Sequence, residues 1–197
     1  MKYYLILPYC DYVGDLSDGV VVAVDGGVNY CLKHNIPFTY ALGDFDSIGE
    51  EAKSSMESLN VNIIRLPREK DDTDTEYAIK HFGISNTYIA YGGINGKRIE
   101  HLFANARLTM KYNITFIDSI SILGRILEYM TFTNLDYKYI SFFAEKDSVL
   151  SLNNFKYNLD NYKLSELDNL CISNELNKGA NLSFQGKGIY ILSKSDN

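Results

Sequence analysis

The chain has 197 residues, of which 46% are hydrophobic, and this apolar content excludes a disordered protein. Its 19 lysines and arginines stand against 25 aspartates and glutamates, and the net charge of −6 disfavours a nucleic-acid surface, which is usually basic. No window approaches the roughly 18 apolar residues of a membrane helix, and three cysteines without a CxxC pair disfavour a disulfide framework or zinc site. We therefore expect a cytoplasmic protein that binds neither nucleic acid nor membrane.

Short β-prone runs alternate with helical segments over the first 118 residues. The predicted strands cover residues 3–7, 20–24, 40–42, 61–66, 87–91 and 114–117. The predicted helices cover residues 28–35, 50–59, 74–82 and 101–112, with Thr73 or Asp72 as the N-cap of the third. Because strand–helix alternation is typical of layered α/β domains, we predict a Rossmann-like α/β domain over residues 1–118.

The pattern changes after residue 118. Short β-type runs cover residues 120–132, 139–143, 149–152, 170–172, 180–185 and 189–192, with Asn, Asp, Gly and Ser turns between them. Closely spaced short strands are typical of sandwiches and barrels. We predict an all-β sandwich domain over residues 119–197.

Four acidic or Gly-rich blocks lie at the ends of predicted strands in the first domain. They read D-G-G-V-N at residues 25–29, G-D-F-D-S at 43–47, K-D-D-T-D at 70–74 and G-G-I-N-G-K-R-I-E-H at 92–101. A packed core does not need these acids, because a buried carboxylate is costly unless it is paired or bound to a cation. Open α/β sheets bind ligands at this edge, so the blocks predict a ligand site.

The first two blocks carry different chemistry. Gly26 and Gly27 allow the backbone to approach a ligand, and the helix that starts after them offers N–H groups to an anion. The alternative is an ordinary tight turn between a strand and a helix. Asp44 and Asp46 occupy alternate positions of an extended segment, so both carboxylates should point the same way. Two like charges held close favour a cation such as Mg²⁺; the alternative is a solvated acidic turn.

The third and fourth blocks each begin a predicted helix. Acids at a helix start gain from the helix dipole, which by itself could explain Asp71 or Asp72, whereas Asp74 is expected to face the metal. Lys97 and Arg98 follow three glycines and look like part of a phosphate-contacting loop. The alternative is a hairpin with solvated charges, which we prefer for Lys97.

Together the four blocks resemble motifs of the thiamin pyrophosphokinase family, which read D-G-G-x-N, G-D-F-D-S, D-x-T-D and G-G-x-x-G-R-x-D-H. Residues 148–151, 154–159 and 172–174 also resemble its V-S-L, G-L-K-[YW]-x-L and S-N signatures, so the resemblance spans nearly the whole chain. Two positions depart from the family pattern. Glu100 stands where the family usually has Asp, and Asn154 replaces a Gly.

The resemblance implies the reaction ATP + thiamin → AMP + thiamin diphosphate, with Mg²⁺ as cofactor. It implies Mg²⁺ ligation by Asp44, Asp46 and Asp74, and catalytic roles for Asp46, Asp74 and Arg98. The ATP site would contain Asp25, Gly26, Gly27, Asn29, Thr73 and Arg98.

For thiamin, the resemblance implies stacking on Tyr157, with Ser151 nearby and Lys70 in contact. It also implies a homodimer in which the β domain of one chain faces the α/β domain of the other.

Two other function classes stay open. One is a different Mg²⁺-dependent phosphotransferase or phosphohydrolase, and the other is a non-catalytic nucleotide-binding sensor whose acids are only solvated. Asp46 and Asp74 are candidates for accepting the hydroxyl proton of thiamin, but a metal-bound carboxylate is a weak base.

Overall fold

The structure is a computed structural model that describes residues 1–46, 48–96, 98–133 and 136–195. Its fold is mixed α/β. The chain divides into two compact units, Met1–Ser119 and Ile120–Asn197. None of the described helices has the length and apolar character needed to span a bilayer.

Unit 1 contains six parallel strands and four helices among its described residues. The strands are β1 (Lys2–Ile6), β2 (Val20–Val24), β3 (Tyr40–Gly43), β4 (Asn62–Arg65), β5 (Thr87–Tyr91) and β6 (Ile114–Ile117). The helices are α1 (Gly27–Lys33), α2 (Glu50–Ser58), α3 (Asp74–Phe82) and α4 (Ile99–Lys111). Every strand and helix predicted from the sequence of this unit is present, with ends shifted by one or two residues.

The sheet order in this unit is β4-β3-β2-β1-β5-β6. The chain therefore runs in one direction from β1 to β4 and then returns to the other side of β1. In open parallel sheets, ligands bind in the crevice where the order reverses, outside the carboxyl ends of the strands. That point lies between β1 and β5.

Helices cover both faces of this sheet. On one face, Val28 and Cys31 of α1 and Met56 of α2 pack against the strands in a buried cluster that includes Ile6 and Ala23. On the other face, the Tyr88 hydroxyl of β5 donates to the carbonyl of Ile79 in α3, at 3.1 Å. Lys111 of α4 contacts Glu76 of α3, with Nζ 2.8 Å from Oε1. Strands buried on both faces explain the continuous apolar runs in the sequence.

Unit 2 is built from strands throughout its described residues. They are β7 (Ser121–Arg125), β8 (Tyr129–Phe132), β9 (Tyr139–Ala144), β10 (Ser148–Phe155), β11 (Leu159–Leu164), β12 (Asn174–Gln185) and β13 (Gly188–Ser193). The predicted run over 120–132 is two strands, and the predicted run over 170–172 is a turn rather than a strand. The pairing throughout is antiparallel. Its core is apolar and aromatic, with Phe142, Phe155 and Leu182 among the buried side chains.

The three cysteines are free and buried. Burial raises the thiol pKa to about 11 for Cys10, about 12 for Cys31 and about 11 for Cys171. All three thiols are therefore protonated at neutral pH.

Candidate active site

Three carboxylates meet at the carboxyl edge of the sheet in unit 1. Asp25 follows β2, and Asp44 and Asp46 follow β3; one oxygen of each lies within 4.8 Å of the others. Gly43 makes this approach possible, because a Cβ there would lie 3.0 Å from the Asp25 Cα. The Asp25 N–H also donates to the Leu42 carbonyl at 2.7 Å, so the backbone fixes the two strand ends side by side.

The second block reaches its geometry through a turn rather than an extended segment. Phe45 has φ of 58° and its ring is buried in the core. The Asp46 N–H donates to Asp44 Oδ1 at 3.1 Å. The two carboxylates therefore lie together, as predicted, but a buried aromatic anchor and a local hydrogen bond bring them there instead of strand alternation.

Lys70 separates Asp74 from the other acids. Its ammonium lies 2.9 Å from Asp74 Oδ1 and 3.8 Å from Asp44 Oδ2, and its side chain is only 15% exposed. Asp74 is therefore connected to the three-carboxylate group through a cation and is not one of its members. This largely buried ammonium partly neutralises the negative charges of Asp44 and Asp74.

The N-cap prediction for α3 is confirmed. The Thr73 side chain accepts a hydrogen bond from the Glu76 N–H at 3.2 Å. The hydroxyl oxygen is thus engaged with the helix, while its hydrogen remains available as a donor.

Gly27 sets the position of α1 against the sheet. A Cβ at this residue would lie 1.9 Å from the Ile6 carbonyl oxygen, which no side chain can tolerate. The first N–H groups of the helix are engaged locally: Val28 donates to the Asp25 carbonyl and Asn29 to the Gly26 carbonyl, both at 3.1 Å. The expected free N–H groups are therefore not provided by these two residues, and the glycine serves close packing.

A cleft of about 540 Å³ opens at the switch point of the sheet. Among the residues predicted for the site, its walls include Asp25, Gly26, Asn29, Asp46 and Arg98. Sequence reasoning missed other wall residues, namely Tyr9, Tyr30, Lys33, Thr75, His101 and Asn105.

The Gly-rich fourth block forms a turn that one buried side chain holds. Gly92 and Gly93 have φ of 89° and 79°, a region that favours glycine. Asn105 of α4 donates from Nδ2 to the Gly93 carbonyl at 2.7 Å. A signal for Asn105 exists in the sequence, because it lies on the same buried stripe of α4 as Leu108 and Thr109.

Arg98 is the N-cap residue of α4 and points a charged group to the surface. Its Nε lies 2.7 Å from Glu100 Oε1, and this hydrogen bond lowers the pKa of the Glu100 carboxyl. Both side chains are exposed, so the guanidinium can turn to another anion without breaking the core. Lys97 lies outside the described residues.

In unit 2, Tyr157 is a surface residue. The residue is 62% exposed, so it does not belong to the core of the unit. Its backbone is fixed: the N–H donates to Asn174 Oδ1 at 3.1 Å, and Asn174 Nδ2 donates to its carbonyl at 2.7 Å. An exposed ring on a fixed backbone can present one face to a ligand.

Ser151 and Asn154 lie on β10 of the same unit. The Ser151 hydroxyl accepts from the Asn161 N–H at 2.9 Å and borders a small cavity of about 70 Å³. Asn154 has φ of 63°. Asn is one of the few residues other than Gly that adopt this conformation readily, so the backbone at this position suits either residue.

Comparisons with known proteins bear on both units. Residues 16–120 match the family model "Thiamin pyrophosphokinase, catalytic domain", and residues 130–187 match "Thiamin pyrophosphokinase, vitamin B1 binding domain". Thiamine pyrophosphokinase of Bacillus subtilis (strain 168) is 32% identical over 184 residues, 88% of this chain and 86% of that protein.

The chain belongs to the thiamin pyrophosphokinase family.

Solved structures of the family share its fold. The crystal structure of thiamine pyrophosphokinase from Bacillus subtilis superimposes with a TM-score of 0.83 at 26% identity, covering 99% of this chain and 100% of that one. That from Geobacillus thermodenitrificans gives 0.80 at 27% identity, covering 100% and 99%. Thiamin pyrophosphokinase from Candida albicans is 16% identical and gives a TM-score of 0.80, covering 98% of this chain and 90% of that one. At this identity the similarity shows a shared fold only.

Proposed function

We propose that this chain transfers the pyrophosphoryl group of ATP to the hydroxyl of thiamin, in a cleft of unit 1 and with a bound Mg²⁺. Family membership makes the chain an enzyme, a thiamin diphosphokinase. The observation that carries the proposal for the site is the meeting of Asp25, Asp44 and Asp46 within 4.8 Å at the carboxyl edge of the sheet. Nucleotides bind at this edge in open α/β sheets.

The donor set suits Mg²⁺. Carboxylate oxygens are its preferred protein ligands, and two oxygens on one ion lie at most about 4.2 Å apart. Oxygens at adjacent octahedral positions lie only about 3 Å apart, so the carboxylates of Asp25, Asp44 and Asp46, within 4.8 Å of one another, would need to close by up to about 1.8 Å. Asp74 joins this set only if Lys70 turns away from it. Asp25, Asp44 and Asp46 would hold the ion, which would supply positive charge against the phosphates and the AMP leaving group.

The chain's own residues position the two substrates. In pyrophosphoryl transfer, most of the rate comes from alignment of the attacking hydroxyl with the phosphorus and from charge neutralisation. Arg98, exposed at the start of α4, supplies a guanidinium to the phosphates. Lys70 holds Asp44 and Asp74 in place through its ammonium. Asn29 and Gly26 line the cleft beside Asp25 and take the nucleotide side.

Thiamin is assigned to unit 2. Its cationic thiazolium ring is attracted to an aromatic face by about 0.5–2 kcal/mol, and the exposed ring of Tyr157 offers such a face. Ser151 lies on the neighbouring strand β10. Lys70 is assigned to the carboxylates rather than to thiamin, because its ammonium lies between those of Asp44 and Asp74.

Unit 1 is taken as Rossmann-like and unit 2 as a β-sandwich. The chain is taken as a cytoplasmic homodimer in which unit 2 of one protomer serves the cleft of its partner. Light scattering at assay concentration should give twice the 22.4 kDa chain mass; a monomer would remove the shared site.

A single incubation tests the reaction. Purified protein with thiamin, ATP and MgCl₂ should yield thiamin diphosphate and AMP in equal amounts by chromatography, and EDTA should abolish both. ADP instead of AMP would identify another phosphotransferase. Unchanged ATP with Mg²⁺-independent nucleotide binding would identify a sensor.

A further inference from the structure

Asn105 is a buried polar side chain in the wall of the cleft. Its side chain is 5% exposed, and it lies on α4 behind the turn formed by Gly92 and Gly93. The carbonyl of Gly93 receives the Asn105 Nδ2 at 2.7 Å. The helix backbone at this point is tied further, because the Thr109 hydroxyl donates to the Asn105 carbonyl at 3.1 Å.

The contact with Gly93 fixes which end of the Asn105 amide faces the cleft. A backbone carbonyl can only accept, so it must receive the NH₂ group, and Oδ1 is left on the other side. Among the residues that the structure describes, no donor contacts this Oδ1, and it is not among the side-chain atoms sealed from solvent. A buried asparagine usually has both ends of its amide paired, so this acceptor is available to a ligand in the cleft.

The chemistry of Oδ1 restricts what it can recognise. Phosphate oxygens at neutral pH are acceptors and gain nothing from a second acceptor. The matching groups are neutral donors, and ATP has these only on its nucleoside: the ribose hydroxyls and the exocyclic amine of the base. The neighbouring cleft wall includes Leu7, Tyr9 and Tyr30, which suits a nucleoside better than a triphosphate.

We propose that Asn105 is a specificity-determining residue that accepts a hydrogen bond from a neutral donor group of the ATP nucleoside. The inference rests on the proposed function, because it takes the cleft to be the ATP site. The same side chain holds the Gly92–Gly93 turn through its Nδ2. One residue therefore both shapes the cleft and contacts the nucleoside.

The test is a thermodynamic cycle between protein and ligand. Dissociation constants are measured by calorimetry with MgCl₂ and without thiamin for ATP, 2′-deoxy-ATP, 3′-deoxy-ATP and the purine riboside triphosphate that lacks the 6-amino group. The wild-type chain should bind one of the three analogues about 2- to 12-fold more weakly than ATP, the range of one neutral hydrogen bond. Asn105→Ala should bind that analogue and ATP with equal affinity, within twofold. The analogue that binds more weakly identifies which group, a ribose hydroxyl or the 6-amino group, donates the hydrogen bond to Asn105.

Gly92→Ala is the matched control for a purely structural role. A Cβ there would lie 3.1 Å from the Cys10 Cα and 3.2 Å from the Cys10 nitrogen, and its three nearest atoms include none of Asn105, so it disturbs the turn while keeping the acceptor. It should weaken all four nucleotides by a similar factor and preserve their ratios.

Two results would overturn the inference. In one, the wild-type chain binds all four nucleotides with equal affinity; in the other, Asn105→Ala keeps the wild-type ratio between the affinities for ATP and for the affected analogue. If Asn105→Ala does not fold, Asn105→Ser takes its place, and the wild-type series alone can still refute the inference. Failure of the proposed function is a separate result, since it means that the wild-type chain forms no thiamin diphosphate from ATP.

Discussion

The two units hold their candidate functional groups in different ways. In unit 1, the acids follow adjacent parallel strands, and two glycines allow backbone contacts that no other residue permits: Gly43 against Asp25, and Gly27 against Ile6. In unit 2, Tyr157 is an exposed side chain on a surface turn held by Asn174. In unit 1, the backbone contacts that position the acids thus also hold the fold together. In unit 2, the Tyr157 side chain can be exchanged without disturbing the core. Mutations should therefore affect folding or turnover in unit 1 and binding alone in unit 2.

The largest effect is expected at Gly27. Gly27→Ala puts a Cβ 1.9 Å from the Ile6 carbonyl oxygen, which forces α1 away from β1. The free energy of unfolding should fall by about 3 kcal/mol or more, measured by urea unfolding with circular dichroism. The control is Gly49→Ala, because a Cβ at Gly49 meets nothing within 4 Å; it should change stability by less than about 0.5 kcal/mol. Equal effects of the two variants would refute the link between scaffold and site in unit 1.

Asp46→Asn comes next and should separate chemistry from folding. Asp46 is half of the turn-held pair and is exposed, so the fold should be kept. Turnover should fall about 100-fold through loss of a cation ligand, and the Mg²⁺ concentration needed for half-maximal rate should rise. Rates are measured at saturating and at limiting MgCl₂. Asp71→Asn is the control, an exposed acid of the neighbouring block that should leave both quantities unchanged. Near-wild-type activity of Asp46→Asn at limiting Mg²⁺ would show the metal assignment to be wrong.

Tyr157 tests the other side of the comparison. Tyr157→Ala should raise the thiamin KM by about 2- to 30-fold, the factor of a cation–aromatic contact, with little change in ATP affinity. Tyr157→Phe keeps the ring and should keep the KM. Steady-state kinetics with each substrate varied separately provide the measurement. A fall in kcat at unchanged thiamin KM would place Tyr157 in the chemistry rather than in binding.

The smallest effect is expected in the scaffold of unit 1, away from the cleft. Lys111 holds the Glu76 carboxylate, and this hydrogen bond lowers the Glu76 pKa below its usual 4.5. A lowered pKa stabilises the fold above the unfolded-state value, and that contribution is lost as pH falls through the folded-state value. Glu76→Gln should therefore cost about 1 kcal/mol at pH 7, since Lys111 is largely exposed, and progressively less as the pH falls below 4.5. Urea unfolding at pH 7 and at a series of lower pH values checks this, and an equal loss at all of them would exclude the ion pair as its cause.

Part of the site could be predicted from sequence because parallel strands end at a common edge. Asp44 and Asp46 are expected at that edge, on the same side of an extended segment; the structure brings their carboxylates together, but through a turn at Phe45. The arrival of Asp25 beside them depends on β2 and β3 being neighbours, which spacing along the chain does not specify. Likewise, the ammonium of Lys70 between Asp44 and Asp74 depends on the path of a loop.

Asn105 illustrates a different limit of sequence reasoning. A polar residue within a helix is usually solvent-facing, and only its place on the buried stripe with Leu108 and Thr109 distinguishes it. Its hydrogen bond to the Gly93 carbonyl depends on the path of the turn after β5, which the sequence of α4 does not specify. Most strands of unit 2 were predicted as runs, but β11 was not, and the run over 170–172 is a turn. The break between β7 and β8 depends on separate partners, β13 for one and β12 for the other.

The buried cysteines make the molecule suitable for site-directed labelling. Thiolates are the species that react with maleimides and iodoacetamides, and Cys10, Cys31 and Cys171 hold their protons well above neutral pH. A single cysteine introduced at an exposed position should therefore be alkylated selectively in the folded chain. Because the chain also lacks tryptophan, a fluorophore or spin probe attached there would report on its surroundings without a competing intrinsic indole signal.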